Sequence, residues 1–175
     1  EGVVIPGGML RRYTIQVFQE PTNKMQKLIE NLVGLGIMKA EDLGEGKQRL
    51  TLLKAQLLQD FVDFYNEYLF QESAKRVTVE EAELNILRAA IFFGKQLEVN
   101  AEGFVKLSLT HVQNESMKSL GHVVTTNEFN SLITKKIIGE KESQNNELSA
   151  SFKIADLEKL LPFWEIIYTL DKVQR

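Results

Sequence analysis

The sequence predicts a mainly α fold: a single-domain helical bundle of about six helices around a long central helix, with at most a two-stranded β ribbon. Three observations carry this expectation. The stretch 47–71 places apolar residues at helical spacing around roughly half of its circumference. Start and stop signals for further helices recur along the rest of the chain, and strand-like alternation is confined to two short runs near its ends.

In the stretch 47–71, Leu50, Leu53, Leu57, Phe61, Phe64 and Tyr68 form one stripe at ~100° per residue. Leu58, Val62, Tyr65 and Leu69 form a second stripe beside it. A surface helix needs an apolar arc only a little over ~100° wide, so an arc of about 180° asks for neighbours on two sides. The opposite face carries Gln56, Gln59, Asp60, Asp63 and Glu67 and marks the solvent side.

Ahead of this element, Pro6, Gly7 and Gly8 punctuate residues 1–8, which read as a linker or an expression remnant in front of one α-helical domain over 9–175. Residues 11–19 alternate Tyr13, Ile15 and Val17 with Thr14 and Gln16, a strand pattern. Pro21 and Thr22 open an amphipathic helix carrying Met25, Leu28, Ile29, Leu32 and Val33, closed by Gly34 and Gly36, and residues 37–46 read as a connector.

Beyond the central element, Thr78 with Glu81 forms a capping box, and the helix it opens is expected to run to about Leu97. A helix from Asn100 and Ala101 to a Gly121 stop follows. Thr125 with Glu128 repeats the capping box and opens a helix ending at Gly139. Residues 139–151 are polar and read as a mobile surface loop. Phe152 and Ile154 alternate as a short second strand, whose expected partner is the strand near the N-terminus. The last helix spans 156–173, with Pro162 expected to break or restart it near Leu161.

With 43% hydrophobic and 26% charged residues, the composition is that of an ordinary soluble globular chain, and a net charge of -3 provides no overall pull toward nucleic acid or an anionic membrane. The absence of cysteine excludes disulfides, thiolate zinc sites and cysteine nucleophiles, and makes a cytoplasmic location the simplest expectation. No apolar run reaches the ~20 residues of a membrane span, and no targeting segment is visible.

Motifs for chemistry are sparse. Gly34 and Gly36 lack the third glycine and the preceding strand of a dinucleotide fingerprint. Gly46-Lys47 has Glu41 where a phosphate loop needs its first glycine, and Gln48 where it needs Ser or Thr. His111 and His122 show no metal-ligand spacing; His111 reads as a hydrogen-bonded, semi-buried side chain and His122 as a solvated one. Asp60, Asp63 and Glu67 share one helix face, either as a solvated surface or as a carboxylate row for a basic partner or a divalent ion. The basic pairs Arg11-Arg12, Lys75-Arg76 and Lys135-Lys136 would serve nucleic acid only if they met on one face.

Phe163, Trp164 and Tyr168 crowd the last helix, where aromatics serve either the core or a docking surface. No metal set, nucleophile and base pair, or phosphate loop assembles from these residues, so no cofactor is expected. The expectation is a non-enzymatic helical module for protein interaction or assembly. Phe163, Trp164, Tyr168, Asp60, Asp63 and Glu67 are its candidate contacts with a protein partner or a second copy. A nucleic-acid-associated regulator and, behind it, a carboxylate-dependent enzyme are the alternatives.

Overall fold

The structure, a computed structural model, describes residues 4–6, 22–44, 48–71, 76–139, 141–144 and 147–174. They are mostly helical, with six helices and two three-stranded antiparallel sheets. The chain divides into two compact units, one of Glu1–Arg76 with Thr169–Arg175 and the other of Val77–Tyr168.

In the first unit, β1 (Val4–Pro6), β2 (Met38–Asp42) and β3 (Gln48–Leu52) form a sheet in the order β1-β3-β2. Helix α1 (Thr22–Gly34) precedes β2, and α2 (Ala55–Phe70) follows β3. The helix expected over 47–71 is therefore divided: its first residues are the middle strand of the sheet. Leu50 sits opposite Ile5 on one side and Ala40 on the other and is fully buried, while Leu53, which shares its helical stripe in the sequence, is exposed. Five residues paired with β2, three of them paired with β1 as well, gain two ladders of hydrogen bonds, which a first helical turn with unpaired N–H groups lacks. Residues 4–6, expected in a linker, and 38–42, expected in a connector, supply the two partner strands. The strand expected over 11–19 lies outside the described residues.

Helix α1 follows its sequence signals. Gly36, at φ +64, turns the chain after α1, and the Ile37 N–H donates to the Leu32 carbonyl at 3.0 Å. The Ile37 carbonyl then accepts from Leu53 at 2.8 Å, closing the open end of the β2-β3 hairpin. Along α2, Phe61 is buried and stacks on Tyr65 with ring centroids 5.3 Å apart, and Tyr65 stacks on Tyr68 at 5.9 Å.

The second unit contains α3 (Glu81–Gly94), β4 (Val105–Ser108), α4 (Leu109–Leu120), α5 (Thr126–Thr134), β5 (Lys141–Gln144), β6 (Glu147–Phe152) and α6 (Ile154–Gln174), the last turns of α6 clustering with the first unit. Within it the helix buried on two sides is α3. Leu84, Leu87 and Ile91 share one stripe, Ile86, Ala89 and Ala90 fill the adjoining one, and all are buried. Phe129 and Phe152 are fully buried against each other, with ring centroids 6.0 Å apart. Each such side chain contributes about 1.5–3 kcal/mol by leaving water.

Several sequence expectations change in this unit, among them the stop of α5, which comes at Thr134 rather than at Gly139. The capping box of α3 is Glu80 with Glu83 rather than Thr78 with Glu81, two residues later, because Val79 goes into the core and Glu83 is held by a buried ion pair. The helix expected from Asn100 starts only at Leu109. The Asn100 side chain accepts from the N–H groups of Glu102 and Phe104, turning the chain into β4, where Val105 and Leu107 are buried and Lys106 is exposed. The polar stretch expected as a loop contains two strands: β6 lies between β5 and β4, so both of its edges are taken and the N-terminal partner expected for it is excluded. Its small residues Ser149 and Ala150 are buried, and the backbone ladders supply what its side chains lack. Finally, α6 continues through Pro162. A proline inside a helix costs ~3 kcal/mol or more, and Leu157 before it and Trp164 after it are both anchored in the core.

Candidate functional site

The second unit encloses an open cavity of about 880 Å³, and the sequence signals of α5 explain one wall of it. The Thr125 hydroxyl accepts from the Glu128 N–H, and the Glu128 carboxylate accepts from the Thr125 N–H, which fixes where α5 begins. The end of α5 is made by Lys136, which takes a left-handed conformation at φ 57. Its N–H donates to the Ile133 carbonyl at 2.9 Å, and the Ile137 N–H reaches the Leu132 carbonyl at 3.1 Å. This is the double closure by which a helix commonly stops, with a lysine where glycine is usual.

The chain then passes beside the end of β6. The Gly139 N–H donates to the Ser151 carbonyl at 2.7 Å, and a β-carbon at residue 139 would lie 3.0 Å from the Ser151 Cβ. That close approach asks for glycine. The facing wall comes from α6, whose Leu157, Leu160 and Trp164 lie at spacings that share a helix face, and Phe104 and Ile133 add further apolar surface.

Three lysines and one aspartate stand among these apolar walls. Lys135 lies 2.6 Å from both carboxylate oxygens of Glu83, whose side chain is 4% exposed, so this lysine ties the end of α5 to the start of α3. Lys153 pairs with Asp156 at 2.9 Å. Lys136 is exposed and pairs with none of the described residues. The lining thus offers apolar surface together with one cation that has no ion-pair partner among the described residues. No family model, curated protein or solved structure matches this chain.

The structure places the residues singled out in the sequence as follows. Trp164 is in the core, 8% exposed, with one edge on the cavity. Tyr168 is half-buried, and its hydroxyl donates to Glu81 at 2.9 Å, holding α6 against the start of α3. Phe163 is half-buried as well. Asp60, Asp63 and Glu67 are all exposed on α2, with Asp60 accepting from Gln56 at 2.7 Å. These three carboxylates belong to the first unit and the aromatic set to the second, and among the described residues no three His, Asp or Glu side chains converge as metal ligands would.

His111, expected to be semi-buried, is exposed; its ring stacks on Phe93 with centroids 5.5 Å apart, and its Nδ1 lies 3.0 Å from the Ser108 hydroxyl that caps α4. His122, expected to be solvated, is half-buried, with Nε2 3.8 Å from Glu128. Of the basic pairs, Lys135-Lys136 lines the cavity, Arg76 lies over the Tyr68 ring at 5.9 Å, and Arg11, Arg12 and Lys75 are outside the described residues. Among the described residues no helix is long and apolar enough to cross a membrane.

Sequence reasoning missed the cavity because its lining comes from four separated stretches of chain. Lys136 carried no local signal: the sequence points to Gly139 as the stop of α5, whereas the helix ends at Thr134 and Lys136 takes the left-handed position.

Proposed function

We propose that this chain is a non-enzymatic protein-interaction module, and that the cavity of its second unit receives a segment of the partner. The observation that supports this reading is the cavity's lining: apolar walls built on α5 and α6 beside three lysines and one aspartate, in the ~300–1,000 Å³ size range of binding pockets. Its charged groups suit holding a ligand in place, since two of its three lysines already have carboxylate partners. Of the aromatic set proposed as contacts, Trp164 would take part as cavity wall, while Tyr168 holds α6 in place.

Panning a displayed peptide library against the purified chain tests the proposal, with Leu160→Arg as the control. Leu160 is only partly buried, so its replacement should block the cavity while circular dichroism shows the fold retained. Peptides enriched on the parent chain and lost on the variant are expected. Enrichment that survives Leu160→Arg, or none at all, would remove the cavity from the interaction. Mass measurement across concentration separates a foreign partner from a second copy of the chain.

A further inference from the structure

We propose that the occupant of this cavity is a partner segment carrying an acidic side chain beside large apolar ones, with its carboxylate met by Lys136; the inference rests on the reading of the cavity as the contact site. Charge complementarity gives the first reason. Glu83 neutralises Lys135 at 2.6 Å, and Asp156 neutralises Lys153 at 2.9 Å. The remaining cation of the lining, Lys136, has no partner among the described residues. An anion with an apolar body would place its charge on Lys136 and its side chains against Ile133, Leu157, Leu160 and Trp164.

Backbone conformation gives the second reason. A cation near the end of a helix is favoured by the helix dipole, but Lys135 already occupies that position at α5. The dipole does not call for a second lysine in the left-handed site, where a β-carbon meets a steric penalty that glycine escapes. Strained residues cluster at ligand-contact positions, so one at the edge of a cavity motivates a role in contact. Lys136 is such a residue, and its long stem lets the ammonium follow a ligand that enters.

The test uses Trp164, the chain's one tryptophan, as the reporter on the cavity wall. The probes are the blocked peptide acetyl-Leu-Phe-Glu-Leu-amide, its counterpart with Gln in place of Glu, and decanoate. The acidic peptide should shift Trp164 emission and bind about tenfold more tightly than the Gln peptide in low salt, with the difference closing near ~0.5 M salt as the charge pair is screened.

The Lys136→Gly variant should melt at a higher temperature than the parent yet bind both peptides alike, and Lys136→Arg should keep the preference for acid. Equal binding of the two peptides to the parent chain would overturn the role of Lys136 while leaving the cavity reading intact. If no probe moves Trp164 emission, the cavity reading falls and takes this inference with it. If decanoate binds and neither peptide does, the occupant is a free amphiphile and the partner segment is overturned.

Discussion

The two units solve the same problem, burying a mixed set of helices and strands, with unequal resources. In the unit Val77–Tyr168 a continuous core includes Leu84, Leu87, Leu107, Phe129, Leu132 and Phe152 at 1% exposure or less, and ion pairs between distant segments clamp its elements. Lys135 reaches Glu83, and Arg88 reaches Glu165 at 2.6 Å. In the first unit the buried apolar side chains among the described residues are fewer, chiefly Ile29, Ile37, Met38, Leu50 and Phe61, and Phe64, Tyr65 and Tyr68 on α2 are only half-covered. A cavity needs walls that hold their shape, and rigidity follows from close packing. Among the described residues, the unit with the more extensive buried core is also the one that carries the candidate site.

Paired substitutions sharpen this contrast. Phe129→Ala should cost about 3–5 kcal/mol in denaturant titration, because the vacated space lies between fully buried neighbours that cannot collapse into it. Phe64→Ala on α2, where the ring is half-exposed, should cost roughly 1–2 kcal/mol by lost burial alone. Equal losses at the two positions would mean that the units are packed alike.

The next effect concerns the clamp. Lys135→Met should destabilise by about 3 kcal/mol, since it strands the buried Glu83 carboxylate. Adding Glu83→Gln to that variant should recover part of the loss, because the residue left behind is then uncharged. No recovery in the double variant would show that the lysine acts by packing rather than by charge.

A smaller change, of opposite sign, is expected at Lys136. Lys136→Gly relieves the left-handed strain and should raise stability by about 1 kcal/mol. A loss of stability there would mean that the side chain makes a contact important to the fold.

The smallest effect belongs to the first unit and to alkaline pH. The Tyr68 phenol is held above its ordinary range, by burial first and then by the nearby Asp171; Arg76 pulls the other way, and Tyr65 adds to the rise. A raised pKa in the folded state means that folding favours the protonated phenol. This contribution is complete below the unfolded-state value of about 10 and is lost as pH rises through the folded value. Tyr68→Phe should therefore flatten the alkaline limb of the stability profile while leaving the neutral region nearly unchanged. An unaltered alkaline limb would show that Tyr68 does not titrate with unfolding.

What the sequence by itself determined is what is decided within a few residues of chain. The capping box of Thr125 and Glu128, the left-handed stop at Gly121 and the helix α1 closed ahead of Gly36 all depend on hydrogen bonds or backbone angles that neighbouring residues set. The tertiary structure alone decided the rest. Residues 48–52 fit a helical stripe as well as a strand, and only the presence of β1 and β2 on both sides selects the strand. The segment 147–152 lacks the apolar pattern of a core strand and is drawn into the second sheet by partners at 105–108 and 141–144. Pro162 marks a helix break in any local account, yet α6 continues through it because the core holds both of its flanks. The cavity is the extreme case: Val77, Phe104, Lys136, Ser151 and Trp164 meet only after folding, and no periodicity along the chain relates residues that long-range packing alone brings together.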